Sequence, residues 1–402
     1  MNIKYNNNIK ERFIPISYSK LCRDTLTYLK CDNNLDYKKF SEFLSKYYYE
    51  NTYDDLKIIK TNYIPFSPDE DILSDIFTKE ELKLKEEDLF LKIDDILNNA
   101  NYEVLTKQML EKAIEQTSLY GVEVSINFDD FKEVKIYFRG QSIKTDNILD
   151  PMKLYLKKKE ISFPIYRRLL LVIKPKTLET RASEIAKEKN ISQEEAIKQL
   201  KDNDILIKDN TQNNIYIKLF KNIPQIDLEM LFPNTKIKMK FFDKLKIAIF
   251  GGGGTVSGAL TLSAKLGSIS VNPMSSLVAL GAFAGVLWRQ VKGVLYKKSQ
   301  YMAQLAQKLY FYNLANNMSA LIQCVENSKE EQKKETFLAY IFLANENEAI
   351  SKEDLDKKIE KFIDSYYDIK VNFEINDGLE ELNKMGLLVQ ANSKLSIKNK
   401  TL

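Results

Sequence analysis

The sequence predicts an α+β membrane protein: an N-terminal helical region, an α+β sheet domain, a two-helix transmembrane hairpin and a C-terminal winged-helix-like module. Three observations predict it. Helix-capping signals punctuate the first third of the chain, and runs rich in Ile, Val, Phe and Tyr begin near Val122. Residues 247–288 then hold a single charge, Lys265, in a chain that is 29% charged.

The first region, 1–120, reads as helical. Ser67-Pro68-Asp69-Glu70 places an N-cap, a proline at the first helical position and an acid in the first turn. Thr78-Lys79-Glu80-Glu81 is a capping box for a helix running to about Leu97, and another helix is expected from about Thr106 to Leu119. The second region, 121–246, carries strand-like runs at 122–127, 134–139, 169–174, 215–220 and 237–242. A charged helical pair at about 178–202, with Ser192 as one cap, lies between two of them, so an antiparallel or mixed sheet is expected.

Region 247–291 is the expected hairpin. It divides into uncharged runs of 18 residues (247–264) and 23 residues (266–288), each long enough to span. Gly254/Gly258 and Gly281/Gly285 form GxxxG patterns that would pack the two helices together. Lys244, Lys246, Trp288, Arg289 and Lys292 flank the runs and are expected at the membrane interface, with both termini inside. The GGGGTVSG stretch is not a phosphate loop, because no Gly-Lys-Ser/Thr follows it.

Region 292–328 reads as a connecting helix. Tyr310, Asn313 and Asn317 would share one of its faces, either as a polar recognition face or as a hydrogen-bonding seam. Region 329–402 has three helices (about 329–344, 352–366 and 376–385) and two strands (387–390 and 394–398), the order of a winged helix. Its third helix is net negative, which would repel phosphate, so a protein contact or a structural role is expected rather than nucleic acid.

Composition restricts the chemistry. Sixty basic against 56 acidic side chains leave a net charge of +4, which makes no general case for nucleic acid. There is no histidine, which removes the usual proton carrier and the commonest metal ligand. Cys22, Cys31 and Cys324 match no zinc spacing and fit a reducing compartment. No cofactor and no metal are expected. The first residues have no apolar core, so no secretory signal is read there.

Several stretches together resemble a family of unknown function with bacterial and eukaryotic members that includes animal transmembrane protein 143. They are Glu11-Arg12-Phe13-Ile14-Pro15-Ile16, Tyr166-Arg167-Arg168, the run from Tyr216 through Lys218 to Pro224 with Asp227-Leu228-Glu229, and Asp243-Lys244-Leu245-Lys246. Leu309-Tyr310-Phe311-Tyr312-Asn313-Leu314 with Asn316-Asn317, and Glu331-Gln332 leading to Leu338-Ala339-Tyr340, complete them. Ala315 departs from the polar or acidic residue expected in that motif. The resemblance implies two membrane helices with soluble domains around them, and supplies no activity, cofactor or catalytic residue. It singles out Arg12, Pro15, Arg167, Lys218, Asp227, Asp243, Tyr310, Asn313 and Asn317 as motif positions.

The function expected from these features is a membrane-anchored, cytoplasmic-facing scaffold or adaptor. An oligomeric pore is the alternative, and a histidine-free membrane-associated enzyme using acids such as Asp227, Glu229 or Asp243 is third. The expected partners are a lipid bilayer and a protein partner or further copies of the chain. The expected location is a bacterial inner membrane.

Overall fold

The structure is a computed structural model and describes residues 3–5, 10–31, 35–70, 76–106, 108–110, 123–149, 158–203, 213–233, 236–238 and 309–398. In chain order the first elements are β1 (Ile3–Tyr5), α1 (Tyr18–Tyr28), α2 (Leu35–Tyr63), α3 (Lys79–Asn99), β2 (Glu103–Val104) and β3 (Glu123–Ser125). Next come β4 (Phe131–Leu149), β5 (Lys158–Pro175), α4 (Leu178–Lys189), α5 (Gln193–Asn203), β6 (Tyr216–Pro224) and β7 (Lys236–Lys238). The last are β8 (Asn313–Asn316), α6 (Asn317–Asn345), β9 (Ile350–Ser351), α7 (Lys352–Tyr367), α8 (Ile375–Lys384), β10 (Leu388–Ala391) and β11 (Lys394–Ile397).

Two compact units divide the chain, Met1–Leu110 with Phe128–Gln225 and Asn313–Leu402 in one, and Glu111–Asn127 with Ile226–Tyr312 in the other. Described by itself, the second unit shows β3 and β7 as an antiparallel pair, Val124 opposite Ile237. The first unit contains a sheet of order β1-β4-β5-β6-β8, antiparallel throughout, with β2 also on β4. Branched and aromatic side chains favour that pleated surface. On one sheet face Tyr137, Leu170, Leu219 and Ala315 stand in register across four strands and pack with Leu89, Ile93 and Ile96 of α3 and Leu321 and Val325 of α6.

Helix α3 starts where the sequence says it should. The Thr78 side chain accepts the Glu81 N–H at 3.2 Å, and the Glu81 carboxylate accepts the Thr78 N–H at 2.8 Å, satisfying two donors that a helix start leaves open. It ends at Asn101, whose φ of +59° suits asparagine better than most residues. The two 29-residue helices α2 and α6 each serve two cores. Ile59 and Tyr63 of α2 and Leu321 of α6 join the sheet core. Phe40 and Leu44 of α2, and Phe337 to Ala344 of α6, join a second core with α1, α7, α8 and the β10–β11 hairpin. Helices α4 and α5 close on a small core of their own, Ala182, Ile185, Ala196 and Leu200.

Several expectations are corrected. The fold class is a mixed α+β arrangement with an antiparallel sheet, and the transmembrane hairpin is not supported: among the described residues no helix is long and apolar enough to cross a membrane. Helix α6 has the length but carries Lys329-Glu330-Glu331-Gln332-Lys333-Lys334-Glu335 at its centre, where a bilayer would have to hold seven polar side chains. The expectations of a membrane-anchored scaffold, of a pore and of an inner-membrane location fall with the hairpin. Residues 247–291 lie outside the described residues, with Gly254, Gly258, Gly281, Gly285, Trp288 and Arg289; so do Lys244, Lys246 and Lys292 on their flanks.

Other differences are local. The connecting helix is interrupted, because Asn313–Asn316 form β8 and pair with β6. The N-terminal region is not wholly helical, since β1 and β2 both add to the edge of β4. Ser67 closes a short 3-10 helix, Ile64–Phe66, instead of opening a helix, and its hydroxyl accepts the Asp69 N–H at 3.3 Å.

Candidate functional site

Three cations stand in one row across the sheet. Arg139 of β4 is directly opposite Arg168 of β5, which is directly opposite Lys221 of β6. Directly opposed residues share a face, and like charges so placed repel. The row lies two residues along from Tyr137, Leu170 and Leu219, hence on the helix-covered face.

Compensation within the row is unequal. Arg139 is buried, lies 4.0 Å from the Glu331 carboxylate, and donates to the Ala100 carbonyl at 3.3 Å. Arg168 donates to the Arg167 carbonyl at 2.9 Å, and among the described residues no carboxylate acts on it. Burial lowers its pKa, and the neighbouring charges of Arg139 and Arg167 push the same way. Tyr102 stacks under Arg139, with 5.1 Å from guanidinium to ring centroid. Its hydroxyl is buried and has no hydrogen-bond partner among the described residues.

The N-terminal segment crosses this row. Phe13 sits between two guanidiniums, 4.8 Å from Arg139 and 4.9 Å from Arg167. Contacts of this type contribute about 0.5 to 2 kcal/mol each. Arg167 directly precedes Arg168, the residue opposite Arg139, and successive strand positions normally face apart, so bringing Arg139 and Arg167 to one ring needs a local bend. Gly140, with φ +74°, and Asn222, with φ +54°, lie on the strands either side of Arg167 and provide it. Glu11 holds the other side, 3.5 Å from Arg167, and its backbone exchanges hydrogen bonds with Lys370 and Asn372. Burial raises the Glu11 pKa and outweighs the pull of Arg167. Arg12 reaches the other way, to Glu374 at 2.7 Å.

Helix α6 supplies the acids. Glu331 accepts the Ile14 N–H at 3.0 Å and pairs with Lys334 at 2.8 Å, while Lys334 donates to the Ile14 carbonyl at 2.9 Å. One turn on, Glu335 is 1% exposed, low enough to set its charge. Asn101 donates to one of its oxygens at 2.7 Å. Burial raises the Glu335 pKa well above the ordinary value, and Glu331 and Asp377 add to the effect. Burial among acids therefore favours the protonated form of Glu335.

The motif positions divide by location. Arg12 and Arg167 are in the cluster, and Pro15 lies in the crossing segment between the buried Ile14 and Ile16. Lys218 is exposed on β6. Asn317 ties two elements, accepting the Ile217 N–H at 3.1 Å and donating to Asp69 at 2.8 Å. Asn313 is the first residue of β8, Tyr310 is exposed and Asp227 is buried, and Tyr310, Asn313 and Asn317 do not share a helix face. Asp243 lies outside the described residues.

Sequence reading did not single out Arg139, Gly140, Tyr102, Asn101, Lys221 or Glu335. Gly140, directly after the strand-like run 134–139, was the available signal, since glycine there marks a bend or a close approach. Among the described residues no group of three or more Cys, Asp or Glu is arranged to hold a metal ion. The cleft beside α8, about 470 Å³ and lined by Glu353, Asn376, Glu380 and Gln390, is polar with acids on it.

What these parts define is an α+β protein with an arginine-rich cluster embedded between a bent antiparallel sheet and a long helix. Guanidiniums in that setting present forked donors to oxygen anions. Residues 131–319 carry a DUF3754 domain, a domain of unknown function. That span holds Arg139, Arg167, Arg168 and Lys221, while Glu11, Phe13 and Glu331 fall outside it. No solved structure matches the chain.

Proposed function

We propose that the protein binds an oxyanion of the phosphate or carboxylate class, held by Arg168 with Arg139 and Lys221 beside it. The observation that carries this reading is Arg168: half-buried, flanked by two further guanidiniums, and without a carboxylate acting on it among the described residues. An uncompensated charge in a low-dielectric setting is unfavourable, and an arriving anion would relieve it. The partnerless Tyr102 hydroxyl supplies a further donor at the same place. We also infer that the resemblance to the family of animal transmembrane protein 143 extends along the chain. It is supported by the quoted stretches around Arg12, Arg167 and Glu331, which lie more than 100 residues apart in sequence and contribute to one cluster.

Arg168→Gln tests the binding reading. Calorimetric titration of the full chain with inorganic phosphate, and separately with acetate, should show binding to the wild type that weakens at least tenfold in the variant, about 1.4 kcal/mol. Without anion the variant should be at least as resistant to urea as the wild type, since it loses a repelling charge. A purely structural arginine gives the reverse: no titratable binding and a less stable variant.

A further inference from the structure

We propose that Glu335 and Asn101 form a neutral carboxylic acid–carboxamide pair joined by two hydrogen bonds, and that this pair positions the Ala100–Tyr102 loop against the arginine row. The first hydrogen bond is present: Asn101 Nδ2 donates to Glu335 Oε1 at 2.7 Å. The second explains two loose ends together. Glu335 Oε2 and Asn101 Oδ1 are both buried and both lack a partner among the described residues. As an ionised pair they would be two acceptors with no donor between them. A proton on Oε2 makes that oxygen the donor which Asn101 Oδ1 lacks, and both atoms are satisfied at once.

The surroundings favour the proton. Glu335 feels Glu331 on its own helix, Glu374 and Asp377 at the start of α8, and Tyr48 from α2, while Lys334 beside it on α6 and Arg12 of the crossing segment are committed elsewhere. Lys334 is held by Glu331 and the Ile14 carbonyl, and Arg12 by Glu374. Burial and three acid neighbours act together on the Glu335 carboxyl and hold its pKa well above the ordinary value.

The connection to the arginines is direct. The residue before Asn101 is Ala100, whose carbonyl accepts from Arg139, and the residue after it is Tyr102, whose ring stacks on the same guanidinium. Asn101 and Glu335 are thus positioning residues: neither touches the Arg168 side of the row, and both act through the loop. The role assigned to the loop rests on the oxyanion reading; the acid–amide pair itself does not.

Glu335→Gln separates the possibilities, because glutamine keeps the shape and the donor but cannot ionise. Urea unfolding of the full chain from pH 5 to 9 gives the first readout. A carboxyl with a raised folded pKa contributes stability that is present at low pH and lost as pH rises from its ordinary 4.5 to its folded value. The wild-type folding equilibrium constant, divided by that of Glu335→Gln, should therefore fall by up to tenfold per pH unit across that window. A flat ratio overturns the pair.

Titration with sulfate, whose charge is constant over this range, gives the second readout. Glu335→Gln should bind sulfate as the wild type does, and Glu335→Leu, which leaves Asn101 without a partner, should bind several-fold more weakly while remaining folded by circular dichroism. Equal binding by the leucine variant overturns the positioning role. If sulfate binds no form of the protein while the pH ratio falls as stated, the oxyanion reading fails and the pair stands.

Discussion

At Gly140 the backbone takes φ +74°, and a Cβ there would stand 2.7 Å from Phe13 Cε1 and 3.1 Å from Glu11 Oε2. Both facts press the same way. An alanine at a left-handed position costs about 1 to 2 kcal/mol, and moving a packed ring adds a further 1 to 3 kcal/mol. Gly140→Ala should therefore lower urea stability by roughly 2 to 5 kcal/mol with an unchanged slope against denaturant. A neutral result would show that Phe13 is not held over the bend. The contrast with the row itself is instructive. Gly140 is optimised for a close approach, whereas Arg168 sits in repulsion, as a site residue can when a ligand offsets the cost. The two positions are neighbours across the sheet and answer to opposite demands.

Between elements, a close seam lies where α8 crosses α6. A Cβ on Gly378 would lie 2.7 Å from the Glu335 carbonyl oxygen and 3.2 Å from Ala339 Cβ, so the helices touch through backbone. Gly378→Ala must push α8 away and should cost about 1 to 3 kcal/mol despite the higher helix propensity of alanine. Thermal unfolding followed by circular dichroism checks it, and a stabilised variant would deny the close crossing. This seam also shows what the sequence could and could not convey. The Thr78 capping box, and the strand runs that became β4, β5 and β6, are local signals, and local chemistry decides them. Glu335 belongs to a charged run that reads as a solvated face, and only packing by α8 and the loop after α3 makes it an interior acid. The cations of the row are 29 and 53 residues apart along the chain, so pairing register alone brings them together. The hairpin expectation rested on the charge depletion and glycine content of residues 247–291, which lie outside the described residues, and among the described residues no helix is long and apolar enough to span.

Across the first unit, two long helices carry both cores, so neither core has an independent boundary. The segment from Glu11 to Ile16 adds a second connection. Its backbone bonds to the stretch before α8, its Phe13 lies on the sheet arginines, and Ile14 is held at both backbone atoms by α6. Glu331 is where these links meet, since it holds Ile14, Lys334 and Arg139. Glu331→Ala leaves Arg139 without a carboxylate, and leaves Lys334 with only the more exposed Glu330 at 3.5 Å. Removing one member of a buried ion pair typically costs 3 to 5 kcal/mol. Because the cores share α2 and α6, that loss should lower the stability of the whole unit rather than release one half. Urea unfolding followed by far-ultraviolet circular dichroism and by tyrosine fluorescence should therefore give coincident transitions, both shifted to lower urea with the same slope. Transitions that separate would mean the crossing segment is a clip between two autonomous halves. Glu331→Gln sharpens the comparison: its side-chain oxygen still accepts from Ile14, so the segment stays docked, and the remaining loss of stability reports the charge it gave to Arg139 and Lys334.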